Sequence, residues 1–224
     1  FNNGQNTITS IDFVYTIDGT PNSFTWTGTL ASQTALTIAL PSFTLDKGLH
    51  TFNVTSSIAN DAFAQNNDSE TVNIKSTSTG TTLVVNTFET PQEELLVYDE
   101  GASSQYWERG LASGTVLNAF VNSTNVYGTN LSGQYANNTK SYLVSECFDL
   151  TTLVAPNLKF DLAFQLEQDW DIMYIEYSIN QGQDWNVLGT ALDTNWYNSD
   201  TTSGENGTCY NCPGAQWTGS NTIM

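Results

Sequence analysis

Apolar and polar residues alternate along much of the chain with a period of two. The N-terminal half contains these alternating sets: Ile11, Phe13, Tyr15 and Ile17; Phe24 and Trp26; Leu36, Ile38 and Leu40; His50, Phe52 and Val54; Val72 and Ile74. Period two indicates half-buried strands, and the Asp18-Gly19 pair after the first set is typical of a tight turn. Short strands about ten residues apart predict an antiparallel β-sandwich.

The C-terminal half carries a stronger strand signal. Five large apolar residues share one face of a predicted central strand: Leu158, Phe160, Leu162, Phe164 and Leu166. Burying each contributes about 1.5–3 kcal/mol. A second alternating run places Met173, Ile175, Tyr177 and Ile179 on one side before a turn at 180–183. We therefore predict that this run forms a hairpin and that Tyr177 is buried.

A polar stretch, Ser76 to Thr82, separates the two halves and is typical of a flexible linker. The predicted fold class is all-β. We predict a β-sandwich in residues 1–76, a linker in residues 77–82, and a jelly-roll β-sandwich in residues 83–224.

The net charge of the chain limits the classes of partner that it can bind. Among 224 residues, 23 Asp and Glu face 5 Lys and Arg, for a net charge of -18. Such a surface repels phosphate backbones and anionic lipids, so nucleic-acid and membrane-surface binding are not expected. No apolar run approaches the ~20 residues of a membrane span. Only 12% of residues are charged, and Thr, Ser, Asn and Gln are the common polar residues. This composition is typical of secreted β-proteins.

Several motifs resemble modules of secreted Bacteroidetes proteins. The first half carries F-T-W-T-G-T-L (24–30), I-A-L-P (38–41) and G-L-H-T-F (48–52), as in their Ig-like modules. The second half resembles their jelly-roll, MAM-like module in F-E-T (88–90), Y-W-E-R-G (106–110), G-T-N-L-S-G-Q-Y (128–135), S-Y-L-V-S-E-C-F-D-L (141–150), N-W-Y-N (195–198) and Q-W-T-G (216–219).

This resemblance implies a role in surface adhesins or in non-catalytic regions of secreted metalloproteases, exported by the type IX secretion system. The family's module continues past W-T-G, so we expect the second module to continue beyond Met224.

Ser178 to Trp185 resembles the sialidase Asp-box, S-x-D-x-G-x-x-W, with Asn180 in the Asp position. A sialidase propeller carries several copies, and this chain shows one. The motif therefore predicts a hairpin in which the Asn180 side chain bonds the turn's amides.

Acidic residues flank the second alternating run. Glu167, Asp169 and Asp171 lack the partners that would tune a glycosidase carboxylate pair. Calcium suits such oxygen ligands better, and the family resemblance adds Glu89 to Asp169 and Asp171 as ligands of a structural calcium ion. A solvated strand end is the alternative.

Aromatic residues crowd the last third of the chain. Exposed coplanar rings suit the C–H face of a sugar, and core packing is the alternative. The candidate carbohydrate-stacking residues are Trp170, Trp196, Tyr197 and Trp217. In addition, Asp200-Thr201-Thr202 resembles the Bacteroidetes O-glycosylation acceptor, which makes Thr201 a candidate glycosylation site, with an ordinary loop as the alternative.

The sequence contains few candidate catalytic residues. His50, the one histidine, lies in a strand pattern distant from the cysteines. The cysteines predict one disulfide and a free thiol, and a zinc site would need a fourth ligand. We expect no enzymatic activity within this segment.

The expected function is therefore a non-catalytic extracellular or cell-surface pair of β-modules. It would serve adhesion, ligand binding or structural presentation, with carbohydrate or another surface protein as partner. The alternatives are an accessory region of a secreted metalloprotease or other hydrolase, and a subunit of an extracellular filament, because exposed sheet edges can mediate polymerisation.

Overall fold

The structure, a computed structural model, describes residues 1–90, 95–101, 107–118, 124–204 and 209–221. Within these ranges the chain forms short strands and one turn of 3-10 helix at Ala64–Asn66. The predicted all-β class is confirmed. The Ig-like and jelly-roll arrangements stay predictions.

The chain divides into two compact units. The first comprises Phe1–Val84 and Leu143–Thr152, and the second comprises Val85–Tyr142 and Leu153–Met224. The first unit thus includes a short segment that sequence analysis assigned to the second module.

A four-stranded antiparallel sheet forms the body of the first unit. Its strands are β1 (Ile8–Ile17), β2 (Thr20–Leu30), β3 (Gly48–Ser57) and β4 (Val72–Ser76), in the order β2-β1-β3-β4. Asp18 and Gly19 connect β1 to β2 with φ of 50° and 76°. Positive φ at both turn residues matches the twist of the flanking strands, which is why Asp-Gly is favoured there.

The apolar face of this sheet follows the predicted alternation. Ile11 and Tyr15 are buried, and the rings of Phe43 and Phe52 lie 6.4 and 6.2 Å from the Tyr15 ring. The strand predicted at 36–40 is absent, because this stretch joins no described ladder.

The predicted linker at 77–82 is paired rather than free. Gly80 N donates to Cys147 O at 2.8 Å, and Cys147 N donates to Ser78 O at 3.0 Å. Ser78 Oγ also donates to a Glu146 carboxylate oxygen at 2.8 Å. Polar residues can extend a sheet through their backbone groups alone, so a linker composition did not exclude pairing.

The remaining strands are short. They are β5 (Leu96–Asp99), β6 (Glu108–Gly110), β7 (Val126–Gly128), β8 (Ser141–Val144), β9 (Phe164–Gln165), β10 (Glu176–Tyr177), β11 (Asn186–Val187) and β12 (Ser220–Asn221). They pair as β5-β8, β6-β7, β9-β12 and β10-β11.

The predicted central strand at 158–166 is mostly irregular. Only Phe164 and Gln165 form a ladder, with β12. Phe164 is buried, whereas Leu158 is 54% exposed. The alternation of apolar residues therefore predicted the burial of Phe164 but overestimated the length of the strand.

The β10-β11 hairpin confirms the predicted turn, but its predicted buried face is wrong at the tip. Met173 and Ile175 pack against the core of the second unit. Tyr177 and Ile179 are 43% and 91% exposed. The chain has passed the edge of the core by Tyr177, so its alternation no longer reports burial.

Candidate ligand-binding site

Three of the four aromatic residues predicted to stack on sugars belong to the core instead. Tyr197 and Trp217 are each 5% exposed, and half-buried Trp196 packs against them. Trp217 Nε1 donates to Trp196 O at 2.9 Å, and Trp196 Nε1 donates to Leu188 O at 3.0 Å. Burial leaves the Tyr197 and Trp217 rings little free face, and Trp196 packs against the same cluster, so the structure does not bring these three residues together as an exposed stacking surface.

Tyr197 shows why such a residue is easily misassigned. Its hydroxyl accepts a hydrogen bond from Ile175 N at 3.0 Å and lies 3.3 Å from Ile175 O. Burial raises the pKa of Tyr197 above its usual range, so the hydroxyl stays protonated at physiological pH. The ring fills the core while the polar tip completes the backbone bonding of the neighbouring chain.

Trp170 is the fourth predicted residue, and it is exposed. Its relative exposure is 51%, and that of Tyr210 is 73%. Their ring centroids lie 6.1 Å apart, with planes tilted by 50°. Both belong to the second unit and form one solvent-facing aromatic surface, here called the Trp170–Tyr210 pair.

A hydrogen-bonded turn carries Trp170. The N–H groups of Trp170 and Asp171 both donate to Glu167 O, at 3.1 and 3.0 Å. Asp169, inside the turn, has a φ of 63°, in the left-handed region. Asp tolerates this region better than most residues, which explains its place in a turn this tight.

The Thr218 hydroxyl forms hydrogen bonds with the backbone of this turn. Thr218 is 2% exposed, and its Oγ1 accepts from Asp169 N at 2.9 Å and donates to Asp171 O at 2.9 Å. The backbone of Thr218 is itself fixed by the Asn198 side-chain amide, through bonds of 3.0 and 2.8 Å. The turn is thus tied to the buried stretch 215–219.

The Tyr135 hydroxyl provides a second tie. It donates to an Asp171 carboxylate oxygen and accepts from Glu167 N at 3.3 Å. Burial, with the carboxylate of Asp171 second, raises the pKa of Tyr135 to about 12. The phenol therefore keeps its proton and remains a donor to the Asp171 carboxylate across the physiological range.

A disulfide between Cys209 and Cys212 carries the second ring. Both cysteines are buried, whereas the two residues between them, Tyr210 and Asn211, are exposed. Ser203 N donates to Cys212 O at 3.1 Å and anchors the loop. Sequence analysis did not select Tyr210; the signal available was its position inside C-Y-N-C, a loop short enough to present its middle residues outward.

The three proposed calcium ligands are not gathered into one cluster. Among the described residues, no group of three or more Asp, Glu, His or Cys side chains could hold a metal. Glu89 accepts hydrogen bonds from Thr124 N and from Asn125 N and Nδ2, at 2.6, 2.9 and 2.8 Å. Asp169 accepts one from Gln168 Nε2 at 2.8 Å, and Asp171 is bonded to Tyr135. Calcium binding stays a prediction.

Thr201 is half-buried between two exposed neighbours, Asp200 and Thr202. Its N donates to Ser199 Oγ at 3.3 Å, and its carbonyl accepts from Gln216 Nε2 at 3.0 Å. Gln216 is fully buried, so the backbone at Thr201 is anchored. Glycosylation at Thr201 stays a prediction.

Asn180 has the structural role that the Asp-box resemblance predicts. Its Oδ1 accepts from Asp184 N at 3.0 Å and from Ser178 Oγ at 2.9 Å. Gly182 N donates to Ser178 Oγ at 2.8 Å, and Trp185 Nε1 donates to Gly182 O at 3.1 Å. These bonds close the hairpin tip, with Trp185 packed against it.

His50 is committed to the first unit's own structure. Its Nδ1 lies 2.7 Å from an Asp18 carboxylate oxygen, and its Nε2 lies 2.9 Å from Asp46 O. The hydrogen bond with Asp18 is the largest cause raising the pKa of His50, and it also lowers the pKa of Asp18. The arrangement favours an imidazolium that donates from both nitrogens.

No family model, curated protein or solved structure matches the chain. Within the described ranges, no helix has the length and apolar character needed to cross a membrane.

Proposed function

We propose that the chain is a non-catalytic binding segment of an extracellular or cell-surface protein, and that it serves adhesion through the Trp170–Tyr210 pair. The observation that carries the proposal is this exposed pair, with exposures of 51% and 73%. Two large rings that face solvent side by side form a contiguous apolar patch, and patches of this kind mark interaction sites more often than single exposed side chains do.

The fixed geometry of the pair supports a binding role. Thr218 and Tyr135 hold the turn of Trp170, and the disulfide holds the loop of Tyr210. A preorganised surface loses little conformational entropy when a ligand binds, which is where much of the cost of association lies.

Two features support a non-catalytic, extracellular setting. Both ring nitrogens of His50 are engaged by Asp18 and Asp46, so the chain's one histidine is poorly placed to activate a Ser or Cys nucleophile. The Cys209–Cys212 disulfide suits an oxidising compartment. The motif resemblance adds export by a type IX system to the proposal.

Adhesion can be tested with beads that carry the full 224-residue chain. The beads are passed over surfaces coated with neutral polysaccharide, with anionic polysaccharide, or with extracellular matrix protein, and retained beads are counted. We expect retention on at least one surface, lost in the Trp170→Ala/Tyr210→Ala double variant. Tyr177→Ala is the matched control, because Tyr177 is an exposed aromatic residue outside the pair.

Two outcomes would contradict the proposal. One is equal retention of the parent and the double variant on every surface. The other is release of soluble products from any coated surface by the chain alone, which would show catalysis.

A further inference from the structure

We infer that the ligand of the Trp170–Tyr210 pair is a neutral glycan, bound by stacking of one or two sugar rings. This inference rests on the proposed binding function and specifies its ligand class. It replaces the four-residue platform predicted from sequence, since three of those residues lie in the core.

The geometry of the pair suits a sugar ring. The two ring centroids lie 6.1 Å apart, the ring planes are tilted by 50°, and both residues are exposed. Each ring has a flat apolar face, and the C–H face of a pyranose is a flat apolar surface of similar width. Water released from both faces provides the driving force, and the open geometry admits a ring within a longer chain.

The side chains beside the rings suit hydroxyl groups. Gln168, two residues before Trp170, and Asn211, directly after Tyr210, are both exposed. Side-chain amides both donate and accept, as sugar hydroxyls do. Asp169 accepts a hydrogen bond from Gln168, and a carboxylate has room for about three more.

Charge selects against acidic sugars. Glu167, Asp169 and Asp171 lie within three residues of Trp170 along the chain, in a protein with a net charge of -18. A carboxylated or sulfated glycan would meet like charge at close range, whereas a neutral glycan meets only hydrogen-bond acceptors.

The pair fits a sugar better than an organic cation. Aromatic cages for cations close several rings around one point, and a cation over an exposed ring gains only about 0.5–1 kcal/mol. Rings that are 51% and 73% exposed form an open face rather than a cage.

The test is titration calorimetry on the full chain with defined probes. These are neutral hexasaccharides of glucose, mannose and galactose in several linkages, an anionic hexauronate, and choline. We expect at least one neutral hexasaccharide to bind. We also expect Trp170→Ala and Tyr210→Ala each to weaken binding at least tenfold, and Trp170→Phe to retain most of it because the flat ring remains. Tyr177→Ala should leave the affinity unchanged.

Far-ultraviolet circular dichroism and melting of each variant show that the fold is kept. Three results would overturn the inference: no neutral probe binds, the double variant binds as tightly as the parent, or the hexauronate or choline binds more tightly than every neutral probe. If the beads still adhere to matrix protein through the pair while no glycan binds, the glycan inference fails and the adhesion proposal stands.

Discussion

Two tryptophans of the second unit lie in opposite environments, one buried and one exposed. Trp217 is 5% exposed and Trp170 is 51% exposed, although both stand in polar, loop-rich sequence. Trp217 packs within the buried cluster of the second unit, and its indole N–H reaches a backbone carbonyl inside the fold. A buried ring of this kind contributes to stability, whereas we propose that the exposed Trp170 ring contributes to recognition.

We therefore predict divergent costs of truncation. Trp217→Ala should destabilise the second unit by about 3–5 kcal/mol, because it removes a large buried ring from a packed cluster. Trp170→Ala should change stability by no more than about 0.5 kcal/mol, as exposed positions usually do. Denaturant unfolding followed by circular dichroism measures both, and equal costs would show that the two rings have similar environments.

Thr218 provides a second test at the level of single atoms. Thr218→Val keeps the shape and removes the hydroxyl that bonds Asp169 N and Asp171 O. Leaving buried groups without partners costs about 1–3 kcal/mol. Thr218→Ser, which keeps the hydroxyl, should lose clearly less. A Val variant as stable as the parent in denaturant unfolding would mean that the turn does not depend on this contact.

At the scale of elements, the sequence predicted turns better than strand lengths. Asp18-Gly19 and the Asn180 turn both form as expected, because a turn depends on local side-chain chemistry and on positive φ. The strands expected at 36–40 and 158–166 are absent or short, because pairing depends on a distant partner that alternation does not reveal.

The hairpin of β10 and β11 gives the corresponding prediction. Asn180→Ala should cost about 1 kcal/mol, since it removes the acceptor for Asp184 N. Tyr177→Ala should cost less than this, because the ring is 43% exposed rather than buried. Denaturant unfolding ranks the two variants. A larger loss for Tyr177→Ala would restore the original prediction that Tyr177 faces the core.

The contact between His50 and Asp18 ties β3 to the β1-β2 turn and makes this element pH-dependent. His50 has its pKa raised above 6.5, so its contribution is full below pH 6.5 and is lost as pH rises through the folded-state value. Asp18 has its pKa lowered below 3.8, so its contribution is full above pH 3.8 and is lost as pH falls through the folded-state value. The contact between His50 and Asp18 therefore stabilises the first unit most between pH 3.8 and pH 6.5.

Because the chain has one histidine, proton NMR can follow its ring directly. We expect the His50 titration midpoint to lie above 6.5 in the folded protein and to fall in Asp18→Asn. Thermal unfolding of Asp18→Asn should differ most from the parent near pH 5. An unshifted midpoint in the parent would show that the contact is not maintained in solution.

For the whole molecule, the sequence predicted the all-β class, which the structure shows, but it gave no indication of which unit one later segment belongs to. Residues 143–152 belong to the first unit, where Cys147 pairs with the supposed linker. No local pattern signals this, because the pairing uses backbone groups common to every residue. The candidate binding site was also only partly predictable. Composition indicated the aromatic-rich last third of the chain, but only the burial of each ring in the fold shows which rings can contact a ligand.

Of the tryptophans, Trp170 is the one that we expect to contact the ligand. The six tryptophans provide indole N–H signals in a nitrogen-15 correlation spectrum, and the Trp170 signal is assigned by its loss in Trp170→Phe. On titration with a neutral hexasaccharide that binds in calorimetry, the Trp170 signal should shift progressively. The Trp196 and Trp217 signals, whose N–H groups are bonded inside the core, should stay in place. Shifts at Trp196 or Trp217 with none at Trp170 would contradict the account.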